Sequence, residues 1–175
     1  MHLSGMVRQA SAPFYVTIRE LKMSDRYTFV IDIDPATLST AQQKKVSFKQ
    51  RRIFSNPKVV AAKSAVALLA LPHRKAVRDM FGGDTPLRLE ATYYYKFPSS
   101  FPKKQMAEGM PKITGADCDN INKAPQDALG TPKNGPCGRN GAGLWDDDRR
   151  ISTLLVSKRY TLLRPRIVFS IMQDI

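Results

Sequence analysis

Five carboxylates stand in two tight groups in a chain otherwise poor in them. Asp117 and Asp119 form one group and Asp146, Asp147 and Asp148 the other, in a sequence with 28 Lys and Arg against 15 Asp and Glu. Carboxylate oxygens are the natural ligands of Mg2+, and a basic surface attracts phosphate. The combination points to metal-assisted hydrolysis of a nucleic acid backbone, in which a cation activates water and neutralises the leaving oxygen. If 117–119 is extended, Asp117 and Asp119 project to one side and Cys118 to the other. Two like charges so placed favour a bound cation. On a helix the same stretch reads differently. Asp119, Lys123 and Asp127 recur every four residues and would make a salt-bridge ladder worth only ~0.2–0.5 kcal/mol per pair, with 146–148 a solvated turn.

The spacing D-x-D-N-x-x-K-x-x-x-D-A-L is filled by Asp117, Asp119, Asn120, Lys123, Asp127, Ala128 and Leu129. It resembles the signature of the RusA family of Holliday junction resolvases. Trp145, Asp147 and Asp148 resemble that family's W-x-D-D. The resemblance covers the C-terminal third well and the N-terminal half in outline. It implies a Mg2+-dependent (or Mn2+-dependent) crossover junction endodeoxyribonuclease, a hydrolase of phosphodiester bonds acting as a homodimer on four-way DNA junctions in recombination and repair. It also implies that Asp117, Asp119 and Asp148 are the metal ligands, with Asp147 close by. Lys123 becomes the catalytic or phosphate-contacting lysine, its ammonium stabilising developing negative charge. Three departures stand out. Pro125 falls inside the expected helix, which must either kink or start late, near Asn122. The loop 129–145 is longer than the family's, and the family's arginine run before the first aspartate is replaced by residues 111–116.

A chain of 175 residues suits one domain with a real core. The reading is an N-terminal extension of open role over 1–26 and an endonuclease domain over 27–175. The net charge of +13 and a pI near 10.0 call for a polyanionic partner, and the charge is unevenly spread. No Asp or Glu occurs from 35 to 78, where ten basic residues do. Nucleic acid fits best. Phosphate contacts are expected from Lys44, Lys45, Lys49, Arg51, Arg52 and Lys58, helped by Lys103, Lys104, Lys158 and Arg159, and binding should weaken steeply with salt. A merely solvated basic surface or a membrane-surface binder is the alternative, and the acidic clusters argue against the membrane. Two cysteines and two histidines do not make a convincing zinc site. No signal-peptide pattern opens the chain, and the most apolar run, 59–71, is broken by Lys63 and Ser64 and too short to span a bilayer. A soluble, cytoplasmic protein with reduced thiols is expected.

The elements that must position these groups follow from periodicity. Residues 14–18 suggest a short strand and 27–33 a half-buried one. The basic stretch 35–55 reads as a long loop or irregular ribbon. Asn56-Pro57 starts a helix, with a capping side chain followed by a proline where its missing N–H costs nothing. Pro72 ends the run 59–71, and a basic helical piece follows over 73–81, with His73 a surface residue. Residues 87–96 alternate as a strand whose tyrosines either fill the core or stack on bases. A basic loop over 97–114 delivers the chain to Asp117. Two final strands, 151–160 and 166–172, form a terminal hairpin. The whole predicts an α+β domain with a mixed or antiparallel sheet and two main helices on one side. Its rivals are a non-catalytic branched-DNA or RNA-binding protein with a degenerate acidic pocket, and a general nuclease indifferent to branching.

Overall fold

The computed structural model describes residues 26–38, 44–47, 52–131 and 141–174, with 44–47 and 52–55 described by backbone alone. Its centre is strand β4 (Leu87–Lys96). The clean alternation of Leu87, Leu89, Ala91 and Tyr93 with Arg88, Glu90, Thr92 and Tyr94 makes it a strand buried on one face. Around it are built β1 (Arg26–Ile31), β5 (Ile151–Thr161) and β6 (Arg166–Gln173), in the spatial order β1-β6-β4-β5. β6 runs antiparallel to both β1 and β4, whereas β5 is parallel to β4. The sheet is mixed and the class α+β, as expected.

The expected terminal hairpin does not form, because β4 lies between β5 and β6. The connection between them, residues 162–165, must cross one strand, a distance of about 10 Å. Four residues reach about 13 Å when extended, which is enough. Glu108 holds the crossing in place. Its carboxylate accepts from the Leu162 N–H at 2.6 Å, from the Thr161 hydroxyl at 2.9 and 3.0 Å and from Arg166 at 3.5 Å.

The buried face of the sheet carries Phe29 and Ile31 from β1, Leu87 to Tyr93 from β4, and Ile167, Phe169 and Ile171 from β6. Against it packs α1 (Pro57–Ala70), whose start is the predicted one: Asn56 Oδ1 accepts from the Lys58 N–H at 3.0 Å with Pro57 at the first position. Pro72 breaks α1 into a single 3-10 turn, and α2 (Arg74–Met80) resumes beyond it. The stretch expected as a long loop or irregular ribbon contains more order than its polarity suggests. Pro35–Thr37 is a 3-10 turn, and β2 (Lys44–Ser47) pairs with β3 (Arg52–Ser55) as a separate antiparallel ribbon.

The third helix, α3 (Cys118–Leu129), decides between alternatives that the sequence left open. Cys118 is its first residue, so 117–119 is not extended. Nor does the helix wait until Asn122, since it runs through Pro125 as an interior residue. An interior proline costs about 3 kcal/mol, and burial offsets it. Ala124, Pro125, Ala128 and Leu129 are all buried, and a leucine alone is worth about 1.5–3 kcal/mol. The buried Tyr93 hydroxyl donates to Asn122 Oδ1 at 2.9 Å, and the Asn122 amide donates to Gln126 Oε1 at 3.0 Å, fastening α3 to β4. Among the described residues, no helix is long and apolar enough to cross a membrane.

Candidate active site

The acidic groups sit at the two ends of α3. At its start, Asp117 is the N-cap residue with extended backbone, yet its side chain makes no cap hydrogen bond. Asp119 lies in the first turn and Lys123 one turn further on the same face, and all three are exposed. The first-turn N–H groups of a helix have no intrahelical acceptors, so those of Cys118, Asp119 and Asn120 face the same region as the two carboxylates. Asp127 does not continue a ladder with Lys123. It pairs with Lys63 of α1 at 2.5 Å, tying the two helices together.

The segment leading into Asp117 is held by β5. Lys112 N–H donates to the Lys158 carbonyl at 3.0 Å, and Tyr160 N–H to the Met110 carbonyl at 2.7 Å. The Lys158 ammonium donates to the Ala116 carbonyl at 2.8 Å and the Thr114 carbonyl at 3.4 Å. Arg159 donates to the Gly109 carbonyl at 3.3 Å. Lys158 and Arg159, expected at the phosphates, thus have backbone partners that fix the approach to Asp117. Lys58, Lys103 and Lys104 are exposed. Lys49 and Arg51 lie outside the described residues, as do the side chains of Lys44, Lys45 and Arg52, residues 132–140 and most of the N-terminal extension.

At the far end of α3, the chain returns after residue 140 along the helix terminus. Ala142, Gly143 and Leu144 N–H groups donate to the carbonyls of Ala128, Gly130 and Leu129. Trp145 is fully buried there, and its indole N–H donates to Asp148 Oδ1 at 2.9 Å. The fit is close: a Cβ on Gly130 would stand 2.7 Å from Asp148 Oδ1 and 3.0 Å from the Trp145 indole nitrogen. Asp147 caps a 3-10 turn by accepting from the Arg149 N–H at 2.9 Å and also takes the Arg149 guanidinium. Asp146 pairs with Arg78, which also donates to the Gly143 carbonyl at 2.7 Å.

Two rulers give the separation of the ends. From Asp119 to Gly130, beside which Asp148 lies, the helix rises roughly 16 Å. From Ile151, next to the Asp148 turn, to Lys158, which holds Ala116, β5 rises roughly 23 Å. Even with both side chains leaning inward along α3, the carboxylates of Asp119 and Asp148 stay roughly 10 Å apart. The structure places Asp117, Asp119 and Lys123 on the cap and first two turns of α3 and Asp148 beside its other end. Consistently, among the described residues no three His, Cys, Asp or Glu gather closely enough to hold a metal ion.

Sequence reasoning missed a cavity of about 270 Å³ beside the start of α3, walled by Tyr95, Tyr160, Lys112, Asp34, Pro98 and Thr114 among others. Burial pushes the Tyr95 hydroxyl up to about 12, with Asp34 and then Cys118 adding to the rise. The three tyrosines of β4 therefore divide. Tyr93 is core, Tyr94 lies on the opposite face under the Arg166 guanidinium at 4.3 Å, and Tyr95 lines the cavity. Alternation alone separates Tyr94 from the other two; nothing in it tells Tyr93 from Tyr95.

Compared with known proteins, the chain matches the family model described as endodeoxyribonuclease RusA over residues 35–172. No curated protein matches it.

Proposed function

Since this chain belongs to the RusA family of endodeoxyribonucleases, we propose that it is a Mg2+-dependent nuclease that resolves four-way DNA junctions as a homodimer, in recombination and repair. The observation that carries the reading is the first two turns of α3. An N-cap aspartate whose side chain does not cap, a second aspartate and, one turn beyond the second and on its face, a lysine are all exposed there in a strongly basic chain.

The three expected metal ligands do not fit one ion within a single chain. Oxygen ligands lie about 2.0–2.6 Å from Mg2+ or Ca2+, so two of them on one ion stand at most about 5 Å apart, roughly half the separation of Asp119 and Asp148. The donor pair Asp117 and Asp119 does suit a hard cation, which when bound supplies a more acidic water and neutralises charge at the phosphate. Asp148 then joins from a second copy. A two-fold axis that reverses α3 sets the Asp148 end of one copy beside the Asp117 end of the other and builds two equivalent sites. Two sites suit a substrate that is itself two-fold and needs paired cuts.

The chain's own residues do the rest. The free first-turn N–H groups and the helix dipole orient the scissile phosphate. Lys123, on the face of Asp119, stabilises the charge that grows on its oxygens. Lys158 and Arg159 act through the backbone of 109–116, keeping Asp117 in place. Lys58, Lys103 and Lys104 supply affinity that salt weakens.

The test is cleavage of a synthetic four-way junction beside a matched linear duplex, with Mg2+ and with EDTA. Symmetric nicks in the junction alone, lost with EDTA, are expected. Asp119→Asn should bind the junction as wild type does and nick none. Equal loss of binding and cleavage would remove Asp119 from the chemistry, and tight binding without cleavage in any metal would make the protein a non-catalytic junction binder.

A further inference from the structure

The cavity beside α3 lies between the end of β4 and the backbone that delivers Asp117. Its walls are mostly ring and aliphatic carbon from Tyr95, Tyr160, Pro98 and Ala36. Polar groups enter at defined points. The Lys112 ammonium lies 5.1 Å from the Tyr95 centroid and 5.4 Å from the Tyr160 centroid. It is held by the Thr114 carbonyl at 2.8 Å and the Thr114 hydroxyl at 2.7 Å. Asp34 uses Oδ1 to accept from the Ala36 N–H at 2.9 Å, which fixes its carboxylate at the rim. Tyr160 is locked by stacking on Phe97 at 4.7 Å and 18°.

This is a small, preformed aromatic pocket with one cation, one carboxylate and hydroxyls. A single phosphate would leave its ring walls unused, and an aliphatic ligand would leave Lys112 and Asp34 unused. A planar heterocycle joined to a phosphate uses both, by stacking on the rings and bonding to the polar edge. The placement agrees. Thr114 lines the pocket and stands three residues before Asp117, with Lys158 fixing the carbonyls of Thr114 and Ala116 between them.

We propose that this pocket receives one unstacked nucleobase of the DNA, from a nucleotide next to the phosphate that is cut. Tyr95 provides the stacking surface, and Asp34 and Thr114 meet the edge of the base. The proposal rests on the nuclease reading and adds to it a direct contact with a base. A branch point is where such a base is most easily drawn out, since it has already lost a stacking neighbour.

The experiment crosses protein variants with substrate variants, reading junction affinity and nicking separately. Once the wild-type nicks are mapped, each flanking nucleotide in turn is replaced by an abasic analogue. At one position the loss of the base should weaken wild type on the order of 10- to 100-fold. Tyr95→Leu should suffer a similar loss on the intact junction and no further loss on the abasic one. Tyr95→Phe, which keeps a ring, should retain the sensitivity to the missing base. Ala36→Phe, made at an exposed rim position away from the core, should plug the pocket and repeat the Tyr95→Leu result even if the latter folds poorly. Effects that multiply, or no flanking position that matters, overturn the pocket while leaving the nuclease intact. If wild type nicks nothing, the nuclease reading fails, and the same cross, run on affinity at each position around the branch, still decides the pocket.

Discussion

Gly130→Ala tests the placement of Asp148 at the end of α3. Gly130 has φ −71 and ψ −179, a conformation open to any residue, so alanine there should stabilise by about 0.4–1 kcal/mol through the unfolded chain. Against this, its Cβ would stand 2.7 Å from Asp148 Oδ1 and 3.0 Å from the Trp145 indole nitrogen. Asp148 must swing away, breaking the 2.9 Å bond from Trp145 and leaving a buried N–H without its acceptor. A bond to a charged group is worth about 1.5–3 kcal/mol, so the net effect should be a loss of about 1–2 kcal/mol. For a chain of this size that lowers Tm by roughly 2–8 °C. In an Asp148→Ala background the bond is already gone, and adding Gly130→Ala should change stability by less than about 1 kcal/mol. Thermal or urea denaturation of the four proteins of this cycle measures it. A Gly130→Ala protein as stable as wild type, or the same loss in both backgrounds, would refute the placement. If Asp148 serves the site, Gly130→Ala should also nick poorly while still folded.

Asn122→Ala strands the Tyr93 hydroxyl in the core and should cost roughly 1–3 kcal/mol by denaturation. Lys63→Ala loses only the surface pair with Asp127 and should cost less than about 1 kcal/mol; the reverse order would mean that the ion pair, not the buried network, fastens α3. Glu108 is held below the usual carboxylate range, chiefly by the Leu162 N–H and then by Thr161 and Arg166. Its folded value lies below the unfolded one, so its contribution is complete above about pH 4.3 and is lost as pH falls through the folded value. Wild type should therefore lose stability on acidification below about pH 4.3, and Glu108→Gln should start lower and fall less. Parallel curves would show that the carboxylate does not hold the strand crossing.

Much of this fold can be read from local pattern. The alternation of 87–96, the Asn56-Pro57 start and the Pro72 break each have a cause within a few residues, and each stands as expected. What could not be read depends on distant partners. The β2–β3 ribbon is hidden in polar sequence, and the order that puts β4 between β5 and β6 is invisible because the short turn at 162–165 suits a hairpin equally well. The fate of Pro125 turned on a core that only the assembled sheet creates. In the site, the residue types and spacing of Asp117, Asp119 and Lys123 pointed to the stretch that forms the start of α3. The spacing could not tell whether Asp148 meets them in the same chain, because that depends on the length of α3. The pocket of Tyr95 and Lys112 gave no signal, its walls coming from four separate segments.

A site divided between two copies can be tested by complementation. Asp119→Asn and Asp148→Asn proteins, each inactive alone, should be unfolded together, refolded as mixed dimers and given a four-way junction with Mg2+. A divided site leaves one of the two intact in each mixed dimer, which should nick one strand of the junction at the wild-type position. A mixture as inactive as its components, with mixed dimers demonstrated, would contradict the account.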